Sequence, residues 1–569
     1  MRGRTGTFVH WALLAAGLAA SLALAVVAYR VASYSWSQVA EYRGPFSRMS
    51  VASPHREGPR AARRVVLVIV DGLRADVSQG LRTMGSLRSH GADLVLETPQ
   101  PSLSYPDWTT ILSGAPPQVS GVTTNDFDRH VPVPTLLDSA LKVRRRVVVV
   151  GPRGFDTLFG ASRATASYFE DWREGEYLSG RLVDETLRLV ASNRPDIVLL
   201  HLPDVDEAGH DFGGASVEYR TMAERVDTDL GRLVTALQDG RTAFVVVSDH
   251  GHVDAGGHGG WEPDATMAPA VFAGSGVSLG QGTGRLIDLA PTVAVLAGLE
   301  VPSHSAGEVL GRALVDRSDA RLASARAQEE AFASAFVGVV QEGSPAALKV
   351  GARPSAGSGG ALRAWVSKAQ GLRLADERRL RAPMALGLAG AVLVLFLVLG
   401  LASWRALVSA LAGVAAYNAV YSTLYFVVHR LRWSLSALNS EDRMTAFFNM
   451  RMAEAIAAGL VAAAVAALVY PLLRKSPQGP REQGRLAGWL ALGPATVLAV
   501  QATLAVEAAW YLWRWGVTVT WLIPDLRAAF KYDLDLVQAT ALGGAAILAP
   551  LVTYLVGRYH PRVGSRHTD

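Results

Sequence analysis

Six separate stretches of this chain are apolar enough, over close to twenty residues each, to lie across a bilayer, and they constrain everything else. Trp11–Tyr29 is unbroken and follows Arg2 and Arg4. The other five fall in the second half, at Pro383–Ser403, Ala406–Val428, Met452–Leu473, Leu486–Trp510 and Leu536–Val556. Each approaches the roughly 20 residues that a helix needs to cross the hydrocarbon. Five in succession are poorly explained as core helices of a soluble fold. Trp11–Tyr29 exceeds the apolar core of a secretory signal, about 7–15 residues. It is read as a retained anchor, with cleavage near Ala25 or Ala28 as the alternative.

Basic residues next to the spans set the expected orientation. Arg2 and Arg4 put the N-terminus inside, so 31–382 lies outside. Counting onwards, Arg405, the loop with Arg474, Lys475, Arg481, Glu482 and Arg485, and the tail with Arg558, Arg562 and Arg566 fall inside. Loops 429–451 and 511–535 fall outside. The expected organisation is an anchor over 1–30, an extracytoplasmic domain over 31–316, a helical and linker segment over 317–382, a five-helix membrane domain over 383–557 and a cytoplasmic tail over 558–569. Half of the 569 residues are hydrophobic, and mean hydropathy is +0.21. The net charge of +5 is scattered, which argues against nucleic-acid binding. The absence of cysteine excludes disulfides and thiolate metal sites.

Within 31–382 the pattern changes. Val65–Val70, Arg146–Val150, Ile197–Leu202 and Ala243–Val247 are short, continuously apolar runs, each ending at a polar or turn residue. Such runs suit a parallel sheet covered on both faces. Helical stretches such as Ser179–Ser192 and Val217–Gln238 lie between them. The expected class is therefore α/β, a doubly wound, mostly parallel sheet, beside an α-helical transmembrane region. Residues 317–345 read as helical, Gly351–Gly360 as a flexible linker, and Ala361–Arg381 as an amphipathic, basic lead into the second span.

Ligands of doubly wound sheets sit beyond the carboxyl ends of the strands. There the sequence places Asp71, then Asp204 and Asp206, then Asp249 and His250. Asp206, His210 and His258 offer two imidazoles and a carboxylate. Asp71, Asp249 and His250 offer two carboxylates and an imidazole. That is one ligand set for each of two divalent cations, and both donor types suit zinc, although manganese could use them too. Ser104, in "PSLSYPDWTTILSG", stands at an expected helix start, where free N–H groups attract phosphate.

Together "VIVDGLRAD" (68–76), "PSLSYPDWTTILSGAPPQVSGVTTND" (101–126), "DEAGHDFG" (206–213) and "SDHGHVDAGGHGG" (248–260) resemble the alkaline phosphatase superfamily. Within it the likeness is to the phosphodiesterase and nucleotide pyrophosphatase branch and to the glycosylphosphatidylinositol ethanolamine-phosphate transferases, over roughly Val65–Leu299. The resemblance implies two zinc ions and a covalent phospho-enzyme. Asp71, Asp249 and His250 would hold the ion that contacts the nucleophile, and Asp206, His210 and His258 the other. Ser104 would be the nucleophile and itself a metal ligand, preferred over Ser102. Asn125 would bind a phosphoryl oxygen. Trp108 stands where many relatives have histidine. His252 replaces a common methionine, and is expected to be solvent-exposed rather than an added contact at the site. The missing arginine in Ser104–Trp108 argues against the sulfatase branch.

The expected function is a membrane-bound phosphoester hydrolase or transferase, of phosphodiesterase or phosphoethanolamine-transferase type. It would act outside the cytoplasm on a phosphoester, carried by a lipid or a lipid-linked glycan. The alternative is a transporter or scaffold with a degenerate binding domain. Asn418, His429, Glu454 and Glu507, near outer span ends, read as a set that could hold a lipid headgroup. Trp510, Trp513 and Trp515 read as an interfacial aromatic belt.

Overall fold

The structure, a computed structural model, describes residues 2–52, 59–316, 319–354, 359–473 and 482–559. The basic loop residues Arg474, Lys475 and Arg481, the tail with Arg562 and Arg566, and part of the Gly351–Gly360 segment lie outside the described residues.

Among the described residues, eight strands form one sheet: β1 (Arg64–Val70), β2 (Gly91–Glu97), β3 (Val147–Gly151), β4 (Ala166–Phe169), β5 (Ile197–Leu202), β6 (Thr242–Val247), β7 (Met267–Gly274) and β8 (Gly280–Arg285). Their spatial order is β4-β3-β5-β1-β6-β7-β2-β8. β1 runs parallel to both neighbours, with Ile69 level with His201 on one side and Val247 on the other. Only β7 runs against its neighbours, β6 and β2. The sheet is therefore mixed and mostly parallel. Side chains alternate between its faces. Val65, Leu67 and Ile69 join one buried cluster, and Val66, Val68 and Val70 join another on the opposite face. Both faces are covered, which is why β1 is apolar throughout. Helices Ser179–Asn193 and Val217–Leu237 occupy the expected stretches.

Among the described residues, six helices are long and apolar enough to cross a membrane. They contain the six apolar runs. The first, Arg2–Ala40, is one continuous helix, and Gly359–Ala402 is another, so positions 30 and 382 fall inside helices. The first helix packs against helices Glu482–Arg514 and Leu526–Tyr559. Ser21 Oγ donates to Gln501 Oε1 at 2.6 Å, and Gln501 Nε2 donates back to the Ser21 carbonyl at 3.1 Å. Gly543 leaves room for Ala25, since a Cβ there would stand 2.6 Å from the Ala25 Cβ. Small residues and a closed polar pair are what brings helices together in lipid.

Asn418, His429, Glu454 and Glu507 do not meet as one set. His429 and Arg451 both contact Glu454 Oε1, at 2.7 and 3.0 Å. Glu507 is paired with Lys531, which also holds Asp535. Asn418 donates to the Val414 carbonyl of its own helix. Each has found a local partner, as an isolated polar group in hydrocarbon must. The tryptophans are stacked by arginines, with Arg514 over Trp510 and Trp515 and Arg378 over Trp513.

Candidate metal centre

Asp71, Asp206, Asp249 and His250 all follow the ends of the adjacent central strands β5, β1 and β6. Gly72 makes this convergence possible. Its φ is +68°, and a Cβ would lie 2.7 Å from the Asp206 Cα. Asp204, also at this rim, does other work. Its carboxylate accepts from the Leu178 and Ser179 N–H groups and so fixes the start of a helix.

Two groups of ligand atoms result. Asp71, Asp249 and His250 form one, and Asp206, His210, His252 and His258 the other. Within each, one atom per residue lies inside 4.8 Å of all the rest. In the first group His250 Nε2 is 3.4 Å from Asp71 Oδ1 and 3.7 Å from Asp249 Oδ2. In the second, Asp206 Oδ2 is 3.4 Å from His210 Nε2, and Asp206 Oδ1 is 3.7 Å from His258 Nε2. The groups adjoin, because the rings of His250 and His258 stack at 3.7 Å.

Hydrogen bonds from fixed partners decide which nitrogens are available. The Ser102 carbonyl can only accept, so His258 Nδ1 carries its proton there, at 2.8 Å. The Nε2 lone pair of His258 then faces His210 Nε2 at 3.2 Å. Asn439 Nδ2 donates to the His210 carbonyl at 3.1 Å. That orients the amide so that its Oδ1 meets His210 Nδ1 at 3.3 Å. His252 differs. The Gly257 N–H donates to its Nδ1 at 3.1 Å, so its proton sits on Nε2 and points to Asp206 Oδ1 at 2.7 Å. His252 is fully buried, which corrects the expectation that it is solvent-exposed. It backs Asp206 and does not offer a lone pair to the centre.

These residues fit a pair of divalent cations. Burial, then Asp249 and Asp206, push the Asp71 carboxyl well above its usual range. Asp71 Oδ1 and His250 Nδ1 are buried with no hydrogen-bond partner. Burial opposes the charge of Asp206, yet His210 and His252 hold it well below the usual range. Burial and His250 keep His258 neutral. Burial opposes the charge on His210, yet Asp206 raises it to about 9. Carboxylates and imidazole nitrogens crowded this closely are what a cation site requires.

Ser104 is the first residue of helix Ser104–Ser113, and its Oγ lies 3.4 Å from His250 Nε2. Ser102 is fully buried and committed to structure. Its Oγ donates to the Gly260 carbonyl and accepts from the Gly259 N–H. Asn125 Oδ1 accepts from the Tyr105 N–H at 3.0 Å, one residue past Ser104. Trp108 Nε1 donates to Asp249 Oδ2 at 2.8 Å. His201 was not singled out from the sequence. Its Nε2 lies 2.7 Å from Asp71 Oδ2, and burial pushes it down to about 4, so it stays neutral and donates. The signal was there, as the sole ionisable side chain in "IVLLHL".

A cavity of about 640 Å³ opens over this centre. Ser104, Asn125, Asp71 and His258 line one end. Trp36, Val39, Leu435, Leu438, Met444 and Leu526, from the membrane domain and its loops, line another part. The loop after the third span thus forms a wall of the cavity. Ser434 and Ser436 both donate to Glu262, at 2.8 and 3.0 Å, the Gly260 N–H donates to Ser436 Oγ at 3.1 Å, and Trp261 Nε1 donates to the Trp433 carbonyl at 2.9 Å.

Residues 65–262 match the family model described as type I phosphodiesterase / nucleotide pyrophosphatase. The chain is 26% identical to GPI ethanolamine phosphate transferase 1 of Mus musculus over 305 residues, 44% of this chain and 32% of that protein. It is 28% identical to GPI ethanolamine phosphate transferase 1 of Aspergillus fumigatus over 364 residues, 51% of this chain and 35% of that protein. The chain spans about a third of the length of the curated relatives it matches. A solved alkaline phosphatase, PafA, aligns with TM-score 0.40 at 13% identity, covering 46% of this chain and all of that one. Residues 65–262 thus carry the likeness to type I phosphodiesterases / nucleotide pyrophosphatases, and the curated relatives named here are GPI ethanolamine phosphate transferases.

Proposed function

We propose that this protein is a membrane-bound phosphoester hydrolase or transferase that works through a phosphoserine at Ser104, with its catalytic domain outside the cytoplasm. One observation carries the reading. A hydroxyl on the first turn of a helix lies 3.4 Å from a histidine of the candidate metal centre, in a cavity that also touches the membrane domain. The family match supports the reaction class. Basic residues Arg2, Arg4 and Arg405 support the orientation.

Two divalent cations, when bound by Asp71, Asp249, His250 and Ser104 and by Asp206, His210 and His258, would lower the pKa of a hydroxyl and neutralise phosphoryl charge. The chain's own part is positioning, which dominates phosphoryl transfer. In the first turn of helix Ser104–Ser113 the Tyr105 N–H is taken by Asn125, Pro106 has none and the Asp107 N–H donates to the Leu103 carbonyl, so the Ser104 N–H is the donor left to favour a phosphoryl oxygen next to the Ser104 Oγ. Because Asn125 Oδ1 is taken by the Tyr105 N–H, its amide N–H groups are left for a non-bridging oxygen. Ser104 Oγ forms a bond to phosphorus and the ester oxygen departs. Water or an acceptor alcohol then takes the phosphoryl group from Ser104. The apolar residues of the wall, Leu435, Leu438 and Met444, match a lipid or lipid-linked substrate.

The degenerate-domain alternative predicts lost or scattered ligands, whereas these residues fill every position and converge. The test is to purify the full chain in detergent, measure its zinc and manganese, and assay p-nitrophenyl monoester, bis-ester and phospholipid substrates. Turnover with about two cations per chain is expected. A metal-replete protein inert on all three would overturn the reading. Release of phosphate or of a soluble phosphoester marks a hydrolase, and transfer to a second lipid or glycan marks a transferase.

A further inference from the structure

Glycines in the loop that carries His258 are shaped by the membrane domain. Gly257 has φ +93°, and a Cβ there would stand 2.4 Å from the Ser436 carbonyl oxygen and 2.7 Å from the Asn439 Cα. A Cβ on Gly260 would meet Ser434 Oγ at 1.8 Å. Loop 434–440 is pressed onto the metal-centre loop, backbone against backbone, and Glu262 is buried beneath it as the acceptor for Ser434 and Ser436. At the end of this contact, Asn439 holds a left-handed backbone, φ +63°, and grips His210 at two points.

The structure assigns Asn439 as a positioning residue of the metal centre, supplied by the membrane domain. Its Oδ1 accepts the His210 Nδ1 proton and so keeps the Nε2 lone pair turned toward Asp206 and His258. The inference rests on the reading that His210 holds a cation. A ligating imidazole normally donates its other N–H to a fixed acceptor, which sets the tautomer and ring orientation. Here that acceptor lies 229 residues away, between the third and fourth spans. The contact links the bundle to one cation site and leaves the other, built from Asp71, Asp249 and His250, untouched.

The test uses the full chain in detergent, stripped of metal and titrated with Zn²⁺ or Co²⁺ against a chelator of known affinity. Asn439→Ala should bind one cation as the wild type does and the other about 10–100-fold more weakly. Asn439→Asp keeps an acceptor for the His210 Nδ1 proton and gives up only the donor to the His210 carbonyl, so both affinities should return to within about threefold of wild type, with the visible spectrum of bound Co²⁺ restored. Wild-type affinities in Asn439→Ala would overturn the proposal. So would equal weakening in both variants, because the contact would then be packing alone. If Asn439→Ala loses both cations, recovery in Asn439→Asp upholds the proposal and failure to recover overturns it. His210→Ala separates the two readings. Two undiminished cations in that variant would overturn the His210 ligand assignment itself.

Discussion

Two serines two residues apart in "PSLSYP" are chemically alike and physically opposite. Ser102 Oγ is enclosed by the Gly259 N–H and the Gly260 carbonyl, and Ser104 Oγ faces the cavity beside His250. Ser104→Ala should leave the metal content intact and lower turnover by about 10⁴-fold or more, as loss of a nucleophile does. Elemental analysis and single-turnover assays check both. Ser102→Ala should leave the chemistry largely in place and cost about 1–3 kcal/mol of stability, because the buried Gly259 N–H loses its acceptor. Thermal unfolding measures that. Full activity in Ser104→Ala would refute the assignment. Asp206→Ala should lose about one cation per chain, since Asp206 faces His210 and His258 together. Asp71, Asp249 and His250 were legible as candidate ligands because they stand within three residues of the end of an apolar run, and Asp206, His210 and His258 because they lie in the short polar stretches that follow one. His252 was misjudged because its role depends on the Gly257 N–H and the Asp206 carboxylate, which only the folded loop brings to its two nitrogens.

Among the elements, β1, β3, β5 and β6 were readable from sequence because strands buried on both faces are continuously apolar. β8, "GQGTGR", was not, since it contains three glycines and no large apolar residue. It is held by its register with β2, whose residues lie far from it in the chain. β7 carries Pro269 and runs antiparallel, against the alternation that revealed those four. In the loop Gly256–Gly260 the sequence showed only a candidate ligand, His258, yet its glycines also answer to crowding by loop 434–440. Gly257→Ala should therefore destabilise the protein by about 1–3 kcal/mol from its backbone conformation alone, with further loss from the clash at Ser436. The check is thermal unfolding with metal titration. An unchanged melting temperature would show that the two loops do not touch.

For the whole molecule, the cavity spans two chemistries, charged at the strand ends and apolar where Leu435, Leu438 and Met444 line it. A carboxylate placed in the apolar part must be desolvated by a lipid chain but not by a small soluble ester. Leu438→Asp should therefore cut activity on a phospholipid in vesicles by about tenfold, the equivalent of 1.4 kcal/mol. Activity on a p-nitrophenyl bis-ester should fall by less than about threefold. Equal losses on both would mean that the apolar wall plays no part in substrate choice. That the apolar helices and the α/β domain share one cavity was not legible in the sequence, which pointed instead to Asn418, His429, Glu454 and Glu507 as a headgroup site. No spacing in the sequence connects Leu438 to Ser104.

The interlocking of Gly257 and Gly260 with Ser434, Ser436 and Asn439 bears on how such proteins can diversify. Two lobes joined by a loose tether can be exchanged between relatives as modules, each keeping its own properties. Here a graft of residues 65–262 alone would carry four glycines, Gly256, Gly257, Gly259 and Gly260, into a foreign loop with different bumps. The transplant should work only when the segment between the third and fourth spans travels with it, so the heritable unit of this protein is discontinuous along the gene.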